Sequence, residues 1–365
     1  MAVGRGGDGP PRVVVRVGDQ ALDVGPVATE MSHPLAAELS APTLDPLLAA
    51  GPDAWRDVRR SVLDWIADEP PLTWLDDLDL LLPFTVADYV DFYTSENHAV
   101  NVAGILRPGR PGLQPNWRHQ PIGYHGRAGT VVVSGTPVVR PSGHVAGPGD
   151  DDRPSYQPTA ALDVEVEVGY VVGTGSTLGK PVPVSGFEDH VFGLLLLNDW
   201  SARDIQMWET VPLGPFLGKS FQTSVSPWVV PLDALAAARV PVPAAGSDLS
   251  PYLVETEPWG LDLDLELSIN GEVVSRPPYR TMHFSPAQMM AHLTANGATL
   301  RTGDLFASGT VSGPDRDQVG SLLERWRNQR YLADGDEVVI TATAPATDGS
   351  RLDLGSVSGR VVTQR

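Results

Sequence analysis

The 365-residue chain contains no cysteine. That absence alone excludes disulfide staples, zinc–thiolate centres and a cysteine nucleophile. Lysine is nearly missing too: of 26 basic residues only Lys180 and Lys219 are lysines, so arginine is the default cation. Positive charge as a whole is scarce, with 26 Lys plus Arg against 45 Asp plus Glu and a formal net charge of −19. A surface this anionic repels phosphate backbones and anionic lipid leaflets, so neither nucleic acid nor a membrane is an expected partner. Long apolar runs are also lacking. Stretches such as Val191 to Leu197 fall far short of the roughly 20 residues that cross a bilayer. The opening MAVGRGGDGPPR has no apolar stretch of the secretory kind, so no signal peptide and a cytoplasmic location are expected. No repeat stands out. What is plentiful is turn chemistry, with 37 Gly and 34 Pro. Hydrophobic residues make up 42%, enough for a real core. The length suits one large domain or two unequal ones.

Residues 12 to 24, RVVVRVGDQALDV, alternate and turn at Gly18-Asp19, which predicts a hairpin. Residues 27 to 66 read as helical, with Trp55, Val58, Val62 and Trp65 at three- and four-residue spacing. Pro70-Pro71 stops that pattern, and Pro83 after a Leu-rich segment places a domain boundary near 83, dividing the chain into 1–83 and 84–365. Strand signals then dominate. Thr130 to Thr136 is β-rich, Gly147 to Pro158 is a polar loop, and Val191 to Leu197 is a buried strand ending at Asn198-Asp199. Asn270-Gly271 between β-rich runs predicts a type I′ hairpin. Ser285-Pro286 followed by Gln288 predicts a capped helix start, closed by Gly297.

Four segments could carry chemistry. In Leu162 to Val168 a period of two puts Asp163, Glu165 and Glu167 on one face and Val164, Val166 and Val168 on the other, with neighbouring acids about 7 Å apart. Such a face is either exposed to solvent or, in a buried sheet, needs a cation between its carboxylates, and oxygen ligands select Ca²⁺ or Mg²⁺. Asp262, Asp264 and Glu266 repeat the alternation and run into the Asn270-Gly271 turn, which favours solvent there. The cluster Asp91 to His98 holds a carboxylate, a phenol and an imidazole, suited either to a ligand, a binder and a base, or to an ordinary helix N-terminus. Asn198-Asp199 at a strand's end suits either a functional carboxylate or a helix cap. Gly214 to Ser220 has three residues between its glycines where a P-loop needs four, which rejects nucleotide binding. Lys219 in that loop is either a solvated charge or a compact cation aimed at an oxyanion.

Taken together, five ordered stretches resemble the fumarylacetoacetate hydrolase family, in its full-length two-domain form. They are DFYTSENHAVNV from Asp91, PIGYHGRAGTVVVSGTP from Pro121, LDVEVEVGYVVG from Leu162, NDWSARDIQMWETVPLGPFLGKSFQTSVSPWVVP from Asn198 and RTGDLFASGTVSGPDRDQVGSLLE from Arg301. The resemblance implies a mainly β fold: a small N-terminal SH3-like barrel, and a larger C-terminal β-sandwich roll forming a homodimer. It implies hydrolysis of a carbon–carbon bond in a β-diketo acid, giving fumarate and acetoacetate at the end of tyrosine and phenylalanine breakdown. It implies Ca²⁺ or Mg²⁺ held by Asp91, Glu165, Glu167 and Asp199, with Lys219 and Thr223 at Mg²⁺-associated positions. His98 falls at the base, paired with Glu324, while Lys219, Gln206 and Arg203 would steady a tetrahedral oxyanion. Tyr93, Arg107, Tyr124, Gln206 and Thr310 fall at positions that bind the small anionic substrate.

One departure concerns specificity. Thr210 stands in Glu209-Thr210-Val211-Pro212 where the family pattern carries a tyrosine that reaches the substrate carboxylate, and residues 108 to 115 also differ. The same fold acting as an acylpyruvate hydrolase, hydratase or decarboxylase is the nearest alternative reading. An inactive metal-binding scaffold is the remote one, disfavoured because both His98 and Glu324 are present.

Overall fold

The computed structural model describes residues 1–109, 111–147, 153–242, 249–256 and 258–363. The fold is mainly β, and among the described residues no helix is long and apolar enough to cross a membrane. An N-terminal antiparallel sheet has the strand order Thr73–Trp74, Gln20–Asp23, Arg12–Val17, Ala2–Arg5, Asp79–Leu81. Its expected hairpin forms at Gly18-Asp19, with Gly18 at φ 61. The region read as helical is four helices, Val24–Glu30, Ala36–Leu39, Asp45–Ala49 and Pro52–Ala67. Pro34, Pro46 and Pro52 cannot donate to a continuous helical ladder, so the chain breaks near each. In the last helix Trp55, Val58, Val62 and Trp65 are its buried residues, as the spacing predicts.

Two larger sheets follow. A mixed sheet has the order Gly123–His125, Asp88–Phe92, Asp304–Ala307, Val166–Val172, Val191–Asp199, Thr223–Val225, Val131–Val133. A second sheet orders Glu272–Ser275, Asp264–Ile269, Glu337–Pro345, Arg351–Val362 and Val138–Val139. The central strands of the mixed sheet, Asp304–Ala307, Val166–Val172 and Val191–Asp199, are buried on both faces, which explains the unbroken apolar run from Val191. Leu194 and Leu196 share a core with Leu265, Leu267 and Ile340 of the second sheet and with Leu263 just before it. Leu195 and Leu197 point the other way, into a core shared with Leu47, Leu48, Trp55 and Val58 of the N-terminal helices.

Local signals elsewhere hold. Asn270 and Gly271 both have positive φ (52 and 80), as a type I′ turn requires. Asp262, Asp264 and Glu266 lie toward solvent and pair with Arg280, Arg351 and Arg276. Ser285 and Gln288 form a capping box at Pro286–Thr294. Within the segment read as a polar loop, Ser155–Pro158 instead pairs as a strand with Ser142–Val145. Residues 148–152 of that segment, and Arg110 of the departing stretch 108–115, lie outside the described residues.

Candidate metal and catalytic site

Strand register assembles the acids. Asp91 lies opposite Ala307, which lies opposite Gly169, two residues from Glu167. Glu167 is opposite Leu197, two residues before Asp199, and Asp199 is opposite Thr223. Each step of two keeps the same face, so strands distant in sequence deliver Asp91, Glu167 and Asp199 to one end of one sheet. Glu165 joins them from a break in its strand, where Asp199 N–H donates to the Glu165 carbonyl at 3.2 Å. Ligand oxygens of Asp91, Glu165, Glu167 and Asp199 all lie within 4.8 Å of one another, and all four residues are buried.

The break also corrects the alternation. Asp163 does not share a site with Glu165 and Glu167. The strand is interrupted between Asp163 and Val166. Asp163 instead accepts N–H groups from Leu322 (2.8 Å) and Leu323 (3.1 Å) and pairs with Arg203 Nε at 2.8 Å. Nor does Asp199 cap a helix. Its oxygens accept from Lys219 Nζ (2.6 Å), Tyr124 Oη (2.9 Å) and Thr223 Oγ1 (3.2 Å).

The acids differ in protonation. Burial first, then the charge of Asp199, pushes the Asp91 carboxyl well above the usual carboxylate range. Burial, then Asp91 and Asp199, does the same to Glu167. Asp199 is raised by burial despite Lys219 beside it. Burial also works against ionised Glu165, but the Lys219 and Arg203 ion pairs outweigh it and hold this carboxyl far below the usual range. Lys219 Nζ bonds Glu165 Oε2, and Arg203 Nη2 lies 2.7 Å from Glu165 Oε1. Burial opposes the charge on Lys219 as well, yet Asp199 and Glu165 more than offset it.

Two features fit a hard cation. Asp91 Oδ1 and both Glu167 oxygens are buried and have no hydrogen-bond partner among the described residues, which is rare for buried carboxylates. In their ionised forms, the only forms a cation binds, the five buried carboxylates Asp91, Asp163, Glu165, Glu167 and Asp199 stand against two cations, Arg203 and Lys219. The excess is 5 − 2 = 3 negative charges, which a divalent ion reduces to one. An all-oxygen donor set suits Ca²⁺ or Mg²⁺. The Lys219 ammonium has no lone pair to give, so any contact of Lys219 with a cation has to use its main-chain carbonyl.

Beside the acids stands a His–Glu pair. His98 Nδ1 and Glu324 Oε2 are 2.7 Å apart, joined across 226 positions of sequence. His98 is the third residue of helix Glu96–Leu106, whose cap Ser95 accepts the His98 N–H. Glu324 is the third residue of Leu322–Arg325, whose cap Ser321 accepts the Glu324 N–H. The segment from Asp91 is therefore both a helix N-terminus and part of the site. Glu324 Oε2 also accepts from Ser321 Oγ (2.8 Å) and Ser312 Oγ (3.0 Å), and Oε1 accepts from Asn101 Nδ2 (2.9 Å). Burial opposes its ionisation, but His98 and these donors hold the carboxyl below its usual range. The His98 Nε2 edge faces the acids, 4.0 Å from Glu165 Oε1.

The other residues singled out in the sequence are placed as follows. Tyr93 packs edge-on against the His98 ring, with centroids 5.3 Å apart. Gly309, at φ 77, brings the chain so close that a Cβ there would stand 2.2 Å from the Phe92 carbonyl and 3.0 Å from the Tyr93 Cα, and the residue after it, Thr310, is buried. Gln206 Oε1 accepts from Arg203 Nη1 at 3.2 Å. Arg107 caps the end of its helix and is exposed, though its charge is felt at the Tyr93 hydroxyl. Thr210 is exposed and donates to the Gln206 carbonyl. Sequence reasoning missed Asp163 as the Arg203 anchor and Ser312, Ser321 and Asn101 as the Glu324 cradle. Ser321 alone left a signal, because Ser-Leu-Leu-Glu is a capping-box pattern.

Two family models match the chain: "Fumarylacetoacetase N-terminal" over residues 3–85 and "Fumarylacetoacetate (FAA) hydrolase C-terminal" over residues 89–362. The fumarylacetoacetase of Homo sapiens is 41% identical over 391 residues, covering 98% of this chain and 93% of the relative. That of Oryza sativa is 41% identical over 387 residues, covering 97% and 90%. Among solved structures, a fumarylacetoacetate hydrolase from Exiguobacterium antarcticum superposes with a TM-score of 0.61 at 19% identity, covering 100% of this chain and 99% of that one. A maleylpyruvate hydrolase from a Sphingobium species gives 0.57 at 18%, covering all of both chains. At these identities the structural likeness speaks for the fold alone.

Proposed function

The chain belongs to the fumarylacetoacetate hydrolase family, and from that premise we propose that it hydrolyses the carbon–carbon bond of 4-fumarylacetoacetate to fumarate and acetoacetate. The observation that carries this reading is the buried His98–Glu324 pair standing beside four clustered carboxylates, in a chain 41% identical along nearly its whole length to a fumarylacetoacetase.

A divalent cation, Ca²⁺ or Mg²⁺, held by Asp91, Glu165, Glu167 and Asp199, would supply Lewis-acid polarisation of the β-diketone oxygens. Thr223, whose hydroxyl donates to Asp199, and the Lys219 carbonyl would be further oxygen donors to such an ion. With Nδ1–H donated to Glu324, His98 keeps a lone pair on Nε2 and takes a proton from water. The oxygen of that water bonds to the carbonyl carbon on the fumaryl side. Lys219 and Gln206, with Arg203 behind them, stabilise the oxyanion that develops there. The carbon–carbon bond breaks with its electron pair on the acetoacetate carbon. His98 returns the proton to that carbon, and the new acid ionises to fumarate. Tyr93, Tyr124, Thr310 and Arg107 grip the substrate's carboxylate and carbonyl oxygens.

The finer architecture follows the same reading: an SH3-like barrel over residues 1–83, a sandwich roll over 84–365, a homodimer, and a cytoplasmic role in tyrosine and phenylalanine breakdown. Thr210 favours a second reading, the same chemistry or a hydratase or decarboxylase reaction on another diketo acid such as an acylpyruvate. The test is loss of the diketone absorbance in Ca²⁺ or Mg²⁺, with fumarate and acetoacetate as products. No turnover by folded, cation-loaded protein overturns the proposal, and faster turnover of an acylpyruvate installs the second reading.

A further inference from the structure

The loop that leads into the Lys219 turn is poorly anchored by packing. Between the helix Arg203–Glu209 and the turn Leu217–Ser220, the side chains of Val211, Leu213 and Phe216 are 83%, 96% and 64% exposed. These residues contribute little burial to hold the loop down. Side chains hold its far end: Thr130 Oγ1 donates to the Ser220 carbonyl at 2.8 Å, and Glu209 does most on the side before Lys219. The Glu209 carboxylate accepts three consecutive backbone N–H groups, from Phe216 (2.7 Å), Leu217 (3.0 Å) and Gly218 (2.8 Å). Those residues immediately precede Lys219. Gly218 is pressed so closely on the neighbouring helix that a Cβ would lie 2.7 Å from the Gln206 nitrogen.

We propose that Glu209 is a positioning residue, which straps the Lys219 turn to the helix of Arg203 and Gln206 and so sets where the Lys219 ammonium meets Glu165 and Asp199. Arg203 and Lys219 grip Glu165 from two different elements, and Glu209 ties those elements together. The inference rests on the reading of Lys219 as the oxyanion-stabilising group. A charge displaced by about 1 Å costs up to about a hundredfold in rate, and an interaction made in the transition state shows in kcat rather than KM.

The chain supplies its own probe, because it has only two lysines. Protein labelled with ¹³C at the lysine ε-carbon gives two NMR signals: buried Lys219, and exposed Lys180 as internal control. Glu209→Ala removes every acceptor, and Glu209→Gln keeps the shape but only one acceptor oxygen. The expected result is graded. The Lys219 signal moves toward that of Lys180, more in Glu209→Ala than in Glu209→Gln, while Lys180 stays fixed. In cation-loaded enzyme kcat falls about 10- to 100-fold in Glu209→Ala, with KM within about twofold. If Glu209→Ala folds poorly, Glu209→Gln carries the same reading at smaller amplitude. An unmoved Lys219 signal in the folded variants overturns the proposal whatever the rate does. A moved signal with unchanged kcat upholds the strap and instead removes Lys219 from the chemistry, as would full activity in Lys219→Met.

Discussion

Replacing Glu324 by glutamine removes one charge from the site and almost no volume. The carboxylate receives four side-chain hydrogen bonds, three on Oε2 from His98, Ser312 and Ser321 and one on Oε1 from Asn101. A glutamine oxygen in the Oε2 position keeps the first three. Its NH₂ then meets the Asn101 NH₂, so the Asn101 amide has to turn over. What is lost at His98 is the charge-assisted part of the bond. Hydrogen bonds to charged groups contribute about 1.5–3 kcal/mol and neutral ones about 0.5–1.5. The difference, about 1–1.5 kcal/mol, falls on the imidazolium that forms when His98 takes its proton, and is worth about tenfold in rate. If the glutamine turns its NH₂ toward Nδ1 instead, the imidazole proton moves to Nε2 and no lone pair faces the water. That tautomer error costs up to about 10⁴-fold in a comparable triad. Glu324→Gln is therefore expected to lower kcat by about a hundredfold or more, between those limits, with KM little changed. Cation affinity should be untouched, because Glu324 is outside the four-acid cluster. Steady-state loss of the diketone, beside a thermal melt and a calcium titration of the same sample, reads all three. A folded, cation-loaded Glu324→Gln with kcat within threefold of the parent would refute the pairing as the source of basicity.

Removing the cation should cost stability. A ligand at 100 times its Kd stabilises by about 2.7 kcal/mol, so a chelated sample should melt several degrees below the loaded one, and coincident melts would contradict the site. Burial and mutual repulsion raise the carboxyls of Asp91, Glu167 and Asp199. A cation takes only their deprotonated forms, so its affinity should rise with pH and binding should release protons, measurable by calorimetry in buffers of different ionisation enthalpy. Equal affinity across the acid-to-neutral range, without proton release, would count against it. Asp163→Asn leaves Arg203 with Glu165 as its buried carboxylate partner and weakens two amide bonds, a loss of about 1.5–3 kcal/mol in denaturant unfolding; a change below about 0.5 kcal/mol would show Asp163 to be dispensable. Thr210→Tyr restores a phenol at the position where the family pattern has one and should lower KM for fumarylacetoacetate about tenfold through a charged hydrogen bond, whereas an unchanged KM removes Thr210 as a specificity determinant.

Local chemistry was legible in the sequence wherever one segment decides the outcome. Asn270-Gly271, Gly18-Asp19 and the Ser285 capping box all form as their residue types demand. The Trp55–Trp65 stripe faces inward because its spacing has no other use. Segments whose state depends on distant partners were not legible from pattern. Asp163 and Glu167 belong to the same alternation, yet a break in the strand sends Asp163 to Arg203 and the Leu322 and Leu323 amides. The acidic strands at 163–167 and 262–266 look alike in sequence. Only the burial of the first on both faces makes it a cluster able to hold a cation and leaves the other a solvent face. Glu324 and His98 each read as the third residue of a capped helix, and nothing local says that they touch. The Glu324 cradle draws on Asn101 and Ser312, residues with no pattern of their own. Resemblance to a family supplied the membership of the site, and strand register supplied the physical reason for it.

A cation-loaded carboxylate cluster and a His–Glu base that together split fumarylacetoacetate must fail together when the cation is removed. The most direct measurement is a product assay on protein stripped with chelator and then reloaded with Ca²⁺ or Mg²⁺. The diketone absorbance should be lost only after reloading, with fumarate and acetoacetate appearing in equal amounts. Folded, reloaded protein that leaves fumarylacetoacetate intact, or stripped protein that cleaves it at the full rate, would contradict it.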